Sequence, residues 1–270
     1  MHPRQMRATA YHRYVGTDRQ ETSSEAESVP QWLCGICGSP AADLKSHIVP
    51  KGELRRMKGD SKDFFFLNSD APSPTRWVED RFWERGLLCA RCEEECGTLD
   101  RWWARFSDER SDAVQTVRTR RAWILPGVDV EKLTTFLMSV LVRAHCATIP
   151  DFDDFDLGQH FDSAISVLKS GSPLASGFHL IAQIPFSSEI SSGLRALPRF
   201  SQDSAKACLW FGAFRFVIGF PAAHWSDEER RLGKHRGGLF VSRCLLEETQ
   251  EYQYFESALR QRRANSRSKS

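Results

Sequence analysis

Four of the eight cysteines fall in two Cys-x2-Cys pairs, Cys34/Cys37 within CGICG and Cys89/Cys92 within CARCE, with 51 residues between them. A pair at this spacing offers two thiolates from one tight turn. Two such turns facing each other make a tetrahedral four-sulfur site of the kind that holds zinc. Cys34, Cys37, Cys89 and Cys92 are therefore the candidate metal ligands, with Cys96, four residues past Cys92, as an alternative fourth. Cys146, Cys208 and Cys244 stand in apolar contexts and read as core residues.

Between the pairs lies SHIVPKGELRRM, which sets His47 in an apolar stretch and follows it with Lys51, Arg55, Arg56 and Lys58. An imidazole with an ordinary pKa of about 6.5 can exchange a proton at neutral pH, as a general base must. The competing reading is a packed structural histidine. His145, His179, His224 and His235 read as structural or exposed. Trp77, Trp83, Trp102 and Trp103 could stack on bases, although helical spacing makes Trp102 and Trp103 core residues.

The elements that carry these groups are written in the periodicity. Ala41 to Lys45 suits a short strand or turn delivering His47, and Pro50 stops it for want of a backbone donor. GELRRMKG suits one or two helical turns. Residues 60–78 read as a short strand and then a turn-rich insertion loop. EEECGTLDRWWARF predicts a helix opening at the second cysteine pair, with glutamates at its positive end.

The plainest helix covers 131–146, where Leu133, Phe136, Leu137, Val140, Leu141 and Ala144 make one apolar stripe. Another covers about 157–170 and ends at Gly171. FHLIAQIPF, KACLWFGAFRFVIGF and GGLFVSR then predict strands, with Gly212 and Gly219 as bulges or turns. An amphipathic helix over about 245–263 runs into a basic end. The chain thus divides into a disordered or loose arm (1–30), a zinc module (31–110), an α+β part of helices and antiparallel sheet (111–263) and a basic tail (264–270). No repeat is seen.

With 41% apolar and 27% charged residues in 270, the composition is that of a globular protein of one large or two modest domains. No apolar run approaches about 18 residues, so no membrane span is expected. The first residues show no secretory pattern. Paired cysteines in a chain of this length suit metal in a reducing compartment, so a cytoplasmic setting is expected. The net charge of +2 hides local basic clusters: five basic residues in the last eleven, five against two acidic in 51–62, and Arg118, Arg120 and Arg121. Such clusters suit a polyanion such as a nucleic-acid backbone, or else form a solvated face and a solubilising tail. No Gly-rich phosphate loop, serine elbow or dinucleotide fingerprint occurs.

A cysteine pair, a Ser-His-Ile-Val-Pro element, and then LLC-x2-C opening a helix resembles the order in HNH endonucleases with a zinc-stabilised ββα-metal finger. The resemblance covers about residues 32–105. It implies an α+β finger in which His47 is the general base. A single catalytic Mg²⁺ or other divalent ion would be held by the residue before that histidine and by one on the following helix. Those positions carry Ser46 and Glu93, where the family usually has an acidic residue or His and an Asn or His. The family's central Asn falls on Glu84, and Asp43, three residues before Ser46, is a further candidate ligand. The resemblance implies a DNA-cutting enzyme tied to restriction or phage defence. The departures keep a second expectation open, a non-catalytic module binding nucleic acid or a partner protein. A sensor role for the C-terminal part is a third.

Overall fold

The computed structural model describes residues 32–58, 64–67, 75–78, 82–109, 122–173, 176–186, 198–201, 204–221, 223–227 and 238–249, with isolated positions between 252 and 260. The expected N-terminal arm, the Arg118–Arg121 cluster, the basic tail and His235 lie outside these residues. So does the side chain of Trp77.

The first described half alternates short strands with helices: β1 (Lys45–His47), α1 (Lys51–Lys58), β2 (Phe64–Leu67), β3 (Thr75–Val78), β4 (Trp83–Arg85) and α2 (Ala90–Glu109). β1 pairs antiparallel with β4, placing Ser46 opposite Glu84 and His47 opposite Trp83. β2 and β3 form a hairpin of their own. The segment expected to be one strand and a loop therefore holds two strands. Thr75–Val78 contains three β-formers, Thr75, Trp77 and Val78, and its pairing with FFFL outweighs the turn residues around it.

Beyond it come β5 (Ala122–Pro126), α3 (Val130–Cys146), α4 (Phe161–Ser170), β6 (His179–Phe186), β7 (Arg199–Ser201), β8 (Lys206–Phe211), β9 (Phe214–Gly219) and β10 (Gly238–Leu245). α3 follows the predicted stripe. Asp129 caps its start by accepting from the Lys132 N–H, and every stripe residue is buried. α4 ends where expected, with Gly171 in the left-handed conformation at φ 68°.

The six later strands form one sheet in the order β5-β10-β6-β9-β8-β7. It is mixed rather than antiparallel, because β10 runs parallel to β6. β10 inserts between β5 and β6, and its pairing continues to Leu245 opposite Phe186. Strand therefore occupies the start of the predicted final helix. The described positions from Tyr252 onward are helical. Gly212 sits in the β8–β9 turn at φ 56°, as expected of a turn glycine. Gly219 is neither bulge nor turn: a Cβ there would meet the Trp225 ring at 2.0 Å, so it allows a close approach.

One apolar cluster runs from Cys34 through all four helices to Val241 in the sheet. Its centre is Trp103, fully buried, stacked on Phe136 at 5.1 Å with edge contacts to Phe211 and Phe216. Trp102 and Trp103 thus serve packing. Among the described residues, no helix is long and apolar enough to cross a membrane.

Candidate functional site

The four paired cysteines converge. One sulfur from each of Cys34, Cys37, Cys89 and Cys92 lies within 4.8 Å of all the others. Tetrahedral zinc with Zn–S bonds of about 2.3 Å puts sulfurs about 3.8 Å apart. The Cys37 and Cys89 sulfurs stand 3.6 Å apart, near that spacing and far beyond a disulfide bond of about 2.05 Å. The four-sulfur donor set can hold a metal ion such as zinc. Cys96, the alternative ligand, is not in the cluster; it lies buried one turn further along α2.

Backbone bonds knit the two turns together. The Cys34 N–H donates to the Ser39 carbonyl and Gly38 N–H to the Cys34 carbonyl, closing the first turn with Gly38 at φ 71°. Gly35 and Ala42 N–H groups reach the Leu87 and Leu88 carbonyls beside the second pair. Gly35 has no room for a side chain: a Cβ would lie 2.5 Å from the Cys146 sulfur at the end of α3. Gly86, at φ 72°, likewise lets the Trp32 ring pack on its backbone.

Electrostatics set the four thiols apart. Burial pushes Cys34 and Cys92 up, and a Cys34 thiolate beside Cys92 pushes it further. Partial burial also acts upward on Cys37, but hydrogen bonds from Ser39, Cys89 and Cys34 outweigh it and bring the thiol down to about 6. The exposed Arg91 guanidinium bonds to Cys37 and is itself raised by that contact. Burial holds the two neighbouring thiols outside the cluster protonated, Cys96 at about 11 and Cys146 at about 12. Cys37 is thus set apart from Cys34 and Cys92, which burial raises as it does Cys96 and Cys146.

β1 and β4 place the remaining candidates. Ser46 is fully buried and its hydroxyl donates to the Glu93 carboxylate in the first turn of α2 at 2.6 Å. Strand alternation turns Lys45 and His47 to the opposite face, where the Lys45 ammonium lies 4.1 Å from the Trp83 ring centre. His47 is half-buried with its Nε2 shielded from solvent. His47 and Glu93 are thus linked through Ser46, the neighbour of one and the hydrogen-bond donor to the other.

Two other candidates are committed elsewhere. Asp43 does not turn toward Ser46; it pairs with Arg85 at 3.1 Å on the surface, where both side chains are mostly exposed. Glu84 accepts the Thr148 N–H at 2.7 Å and its hydroxyl at 2.6 Å, tying β4 to the loop after α3. Arg56, one of the four basic residues after His47, bonds to Glu53, the Ala104 carbonyl and Asp108, bracing α1 on α2. Lys51 and Arg55 remain exposed.

The structure also reveals buried polar groups that pattern reading missed. Arg143, only 2% exposed, donates to both Asp100 oxygens at 2.8 and 2.9 Å and to the His47 carbonyl at 2.6 Å. Burial alone would lower its pKa, but the Asp100 charge raises it above the ordinary arginine value. Glu53, 1% exposed, accepts from the Trp103 indole and the Gly212 N–H. One signal was available: Arg143 falls seven residues after Phe136 and three after Val140, on the flank of the apolar stripe. A charge there needs a buried partner. Of the other described histidines, His145 contacts Asp156 and Phe161, His160 packs on Phe200 and Phe220, and His179 packs on Trp225, while His224 is exposed.

Comparison with protein-family models, with curated proteins and with solved structures returns no match in any of the three.

Proposed function

We propose that residues 31–110 form a zinc-stabilised HNH-type finger and that the protein is a metal-dependent nuclease hydrolysing phosphodiester bonds in DNA, in a phage-defence or restriction setting. The Ser46–Glu93 hydrogen bond carries this reading. It joins the residue before His47 to the helix behind the second cysteine pair, the two positions from which the finger it resembles holds its divalent ion. The β1, β4, α2 order is consistent with it.

In this reading His47 takes a proton from the attacking water. Glu93 would hold Mg²⁺ or a similar hard ion, whose charge stabilises the scissile phosphate and leaving oxygen. The four thiols would hold Zn²⁺ as scaffold.

One observation favours a second reading, a non-catalytic module that binds nucleic acid or a partner protein. With Asp43 paired to Arg85 and Glu84 to Thr148, Glu93 is left to hold an ion beside a serine, a weak ligand. A single preparation separates the two. Bound zinc is quantified, and plasmid nicking is followed with Mg²⁺, Mn²⁺ or Ni²⁺ for wild type and His47→Ala. Equal zinc in both, with divalent-dependent nicking that His47→Ala loses, is the expected result. Zinc-loaded wild type that cuts under no ion sinks the nuclease reading in favour of the binding module.

A further inference from the structure

We propose that Arg143 is a positioning residue for His47, so that the helix following the finger sets the geometry between the candidate base and Glu93. The inference deepens the nuclease reading and rests on it for its catalytic consequence, though not for its structural one.

Three observations converge. First, the His47 carbonyl stands at the end of a three-residue ladder, and Arg143, 96 residues later in sequence, donates to it at 2.6 Å. A strand of three residues has little register strength of its own, so an added charge-assisted bond at its last residue weighs heavily. Second, the same guanidinium grips both oxygens of Asp100. Asp100 lies seven residues after Glu93 in α2, two turns along the same face. Arg143 therefore bonds at once to the strand that carries His47 and to the helix that carries Glu93. Third, the planar fork satisfies its remaining donors on α3 itself, through the Ser139 carbonyl and hydroxyl. The guanidinium is held on three elements with no freedom to swing.

A buried ion pair is seldom better for stability than apolar side chains of the same volume. Its distinctive contribution is directional: fixed donor angles specify one arrangement of β1, α2 and α3 where an apolar contact would tolerate several. Glu53 supplies an internal comparison. It is as deeply buried and bonds Trp103, Arg56 and Gly212, but its hydrogen bonds do not involve His47 or Glu93.

The test uses the full, zinc-loaded chain and three conservative variants: R143K, which keeps charge but loses the fork; D100N, which keeps shape but weakens the grip; and E53Q. Zinc content and melting temperature are measured for each. The direct readout is nuclear magnetic resonance of His47, through its carbonyl ¹³C and imidazole ¹⁵N shifts. R143K and D100N should move these signals while E53Q leaves them in place. Under the nuclease reading, kcat for nicking should fall about 10- to 100-fold in R143K and D100N, with KM within about twofold. E53Q should stay near wild type. Unmoved His47 signals in folded, zinc-bound R143K and D100N overturn the proposal, as do equal shifts in E53Q. If R143K does not fold, D100N decides alone, since Asp100 sits at the partly open edge of the pair. A wild type that never cuts DNA defeats the nuclease reading, and the resonance shifts still decide for or against positioning.

Discussion

The thiol centre and the His47 site meet on α2, through Cys92 and Glu93, yet they are held by different means. Each half of the thiol centre is built locally, one cysteine pair to a turn. Its ligands come from two turns, and the bonds that shape them run among residues 32–42 and 87–93. The His47 site is built at long range: its carbonyl is held from α3, its neighbour Ser46 from α2, and Glu84, across the ladder, from the loop after α3. Where covalent spacing already pairs the ligands two by two, a site is legible in sequence, although its halves meet across 51 residues. Where tertiary contacts finish the geometry, only its parts are.

Removing the metal should produce the largest effect. Structural zinc contributes about 10–16 kcal/mol of apparent binding free energy in zinc-finger peptides. Few apolar contacts could replace that around residues 32–42. Chelation, or Cys92→Ser, should abolish metal binding and lower the thermal midpoint sharply, followed by circular dichroism with and without chelator. An unchanged midpoint would make the four thiols a bystander cluster, and the local half of the comparison would collapse.

A core truncation attacks the long-range half. Trp103→Ala should cost about 3–5 kcal/mol in urea unfolding, from lost burial and the cavity left behind. It also leaves the buried Glu53 carboxylate without its indole donor. Metal content should survive, because none of the bonds shaping the cysteine turns passes through Trp103. Loss of metal along with stability would show that the two regions are not separable in this way.

Acidity sharpens the comparison on the metal side. Cys34 and Cys92 have pKa values raised by burial, so they are protonated at neutral pH in the metal-free fold and must release protons to bind. Cys37, at about 6, is already mostly ionised above that pH. Affinity should therefore rise with pH, by about 100-fold per unit from Cys34 and Cys92 alone, and fall more steeply below pH 6 as Cys37 is also reprotonated. Competition with a chromophoric chelator between pH 6 and 8 measures the slope. A flat profile would mean that these thiols are not the ligands.

The same division explains what the sequence disclosed. The stripe from Leu133 to Ala144 dictated α3, because period and burial are the same fact on a helix. The stop at Gly171 followed from one residue's freedom at positive φ. The β10–β6 pairing was not legible, because alternation announces a strand but not its neighbour or its direction. Arg143 and Asp100 were hidden for a related reason: a charged residue reads as surface until the partner that neutralises it is known, and these two lie 43 residues apart.

Glu84 is where the two kinds of reading meet, and the smallest prediction tests it. By resemblance it occupies the position of a residue that works within the finger; by structure its carboxylate holds Thr148. Glu84→Gln keeps the shape: its amide oxygen can accept the Thr148 N–H and its NH₂ can donate to the Thr148 hydroxyl oxygen, so both contacts persist without their charge assistance. The expected cost is about 1 kcal/mol in urea unfolding, with metal content unchanged. Any fall in nicking should then be no larger than in a comparably destabilised variant away from β4. If nicking is lost instead while stability holds, Glu84 acts in the site itself. The Thr148 contact would then be a means of orienting that carboxylate, and the His47 site would reach one element further than its hydrogen bonds alone indicate.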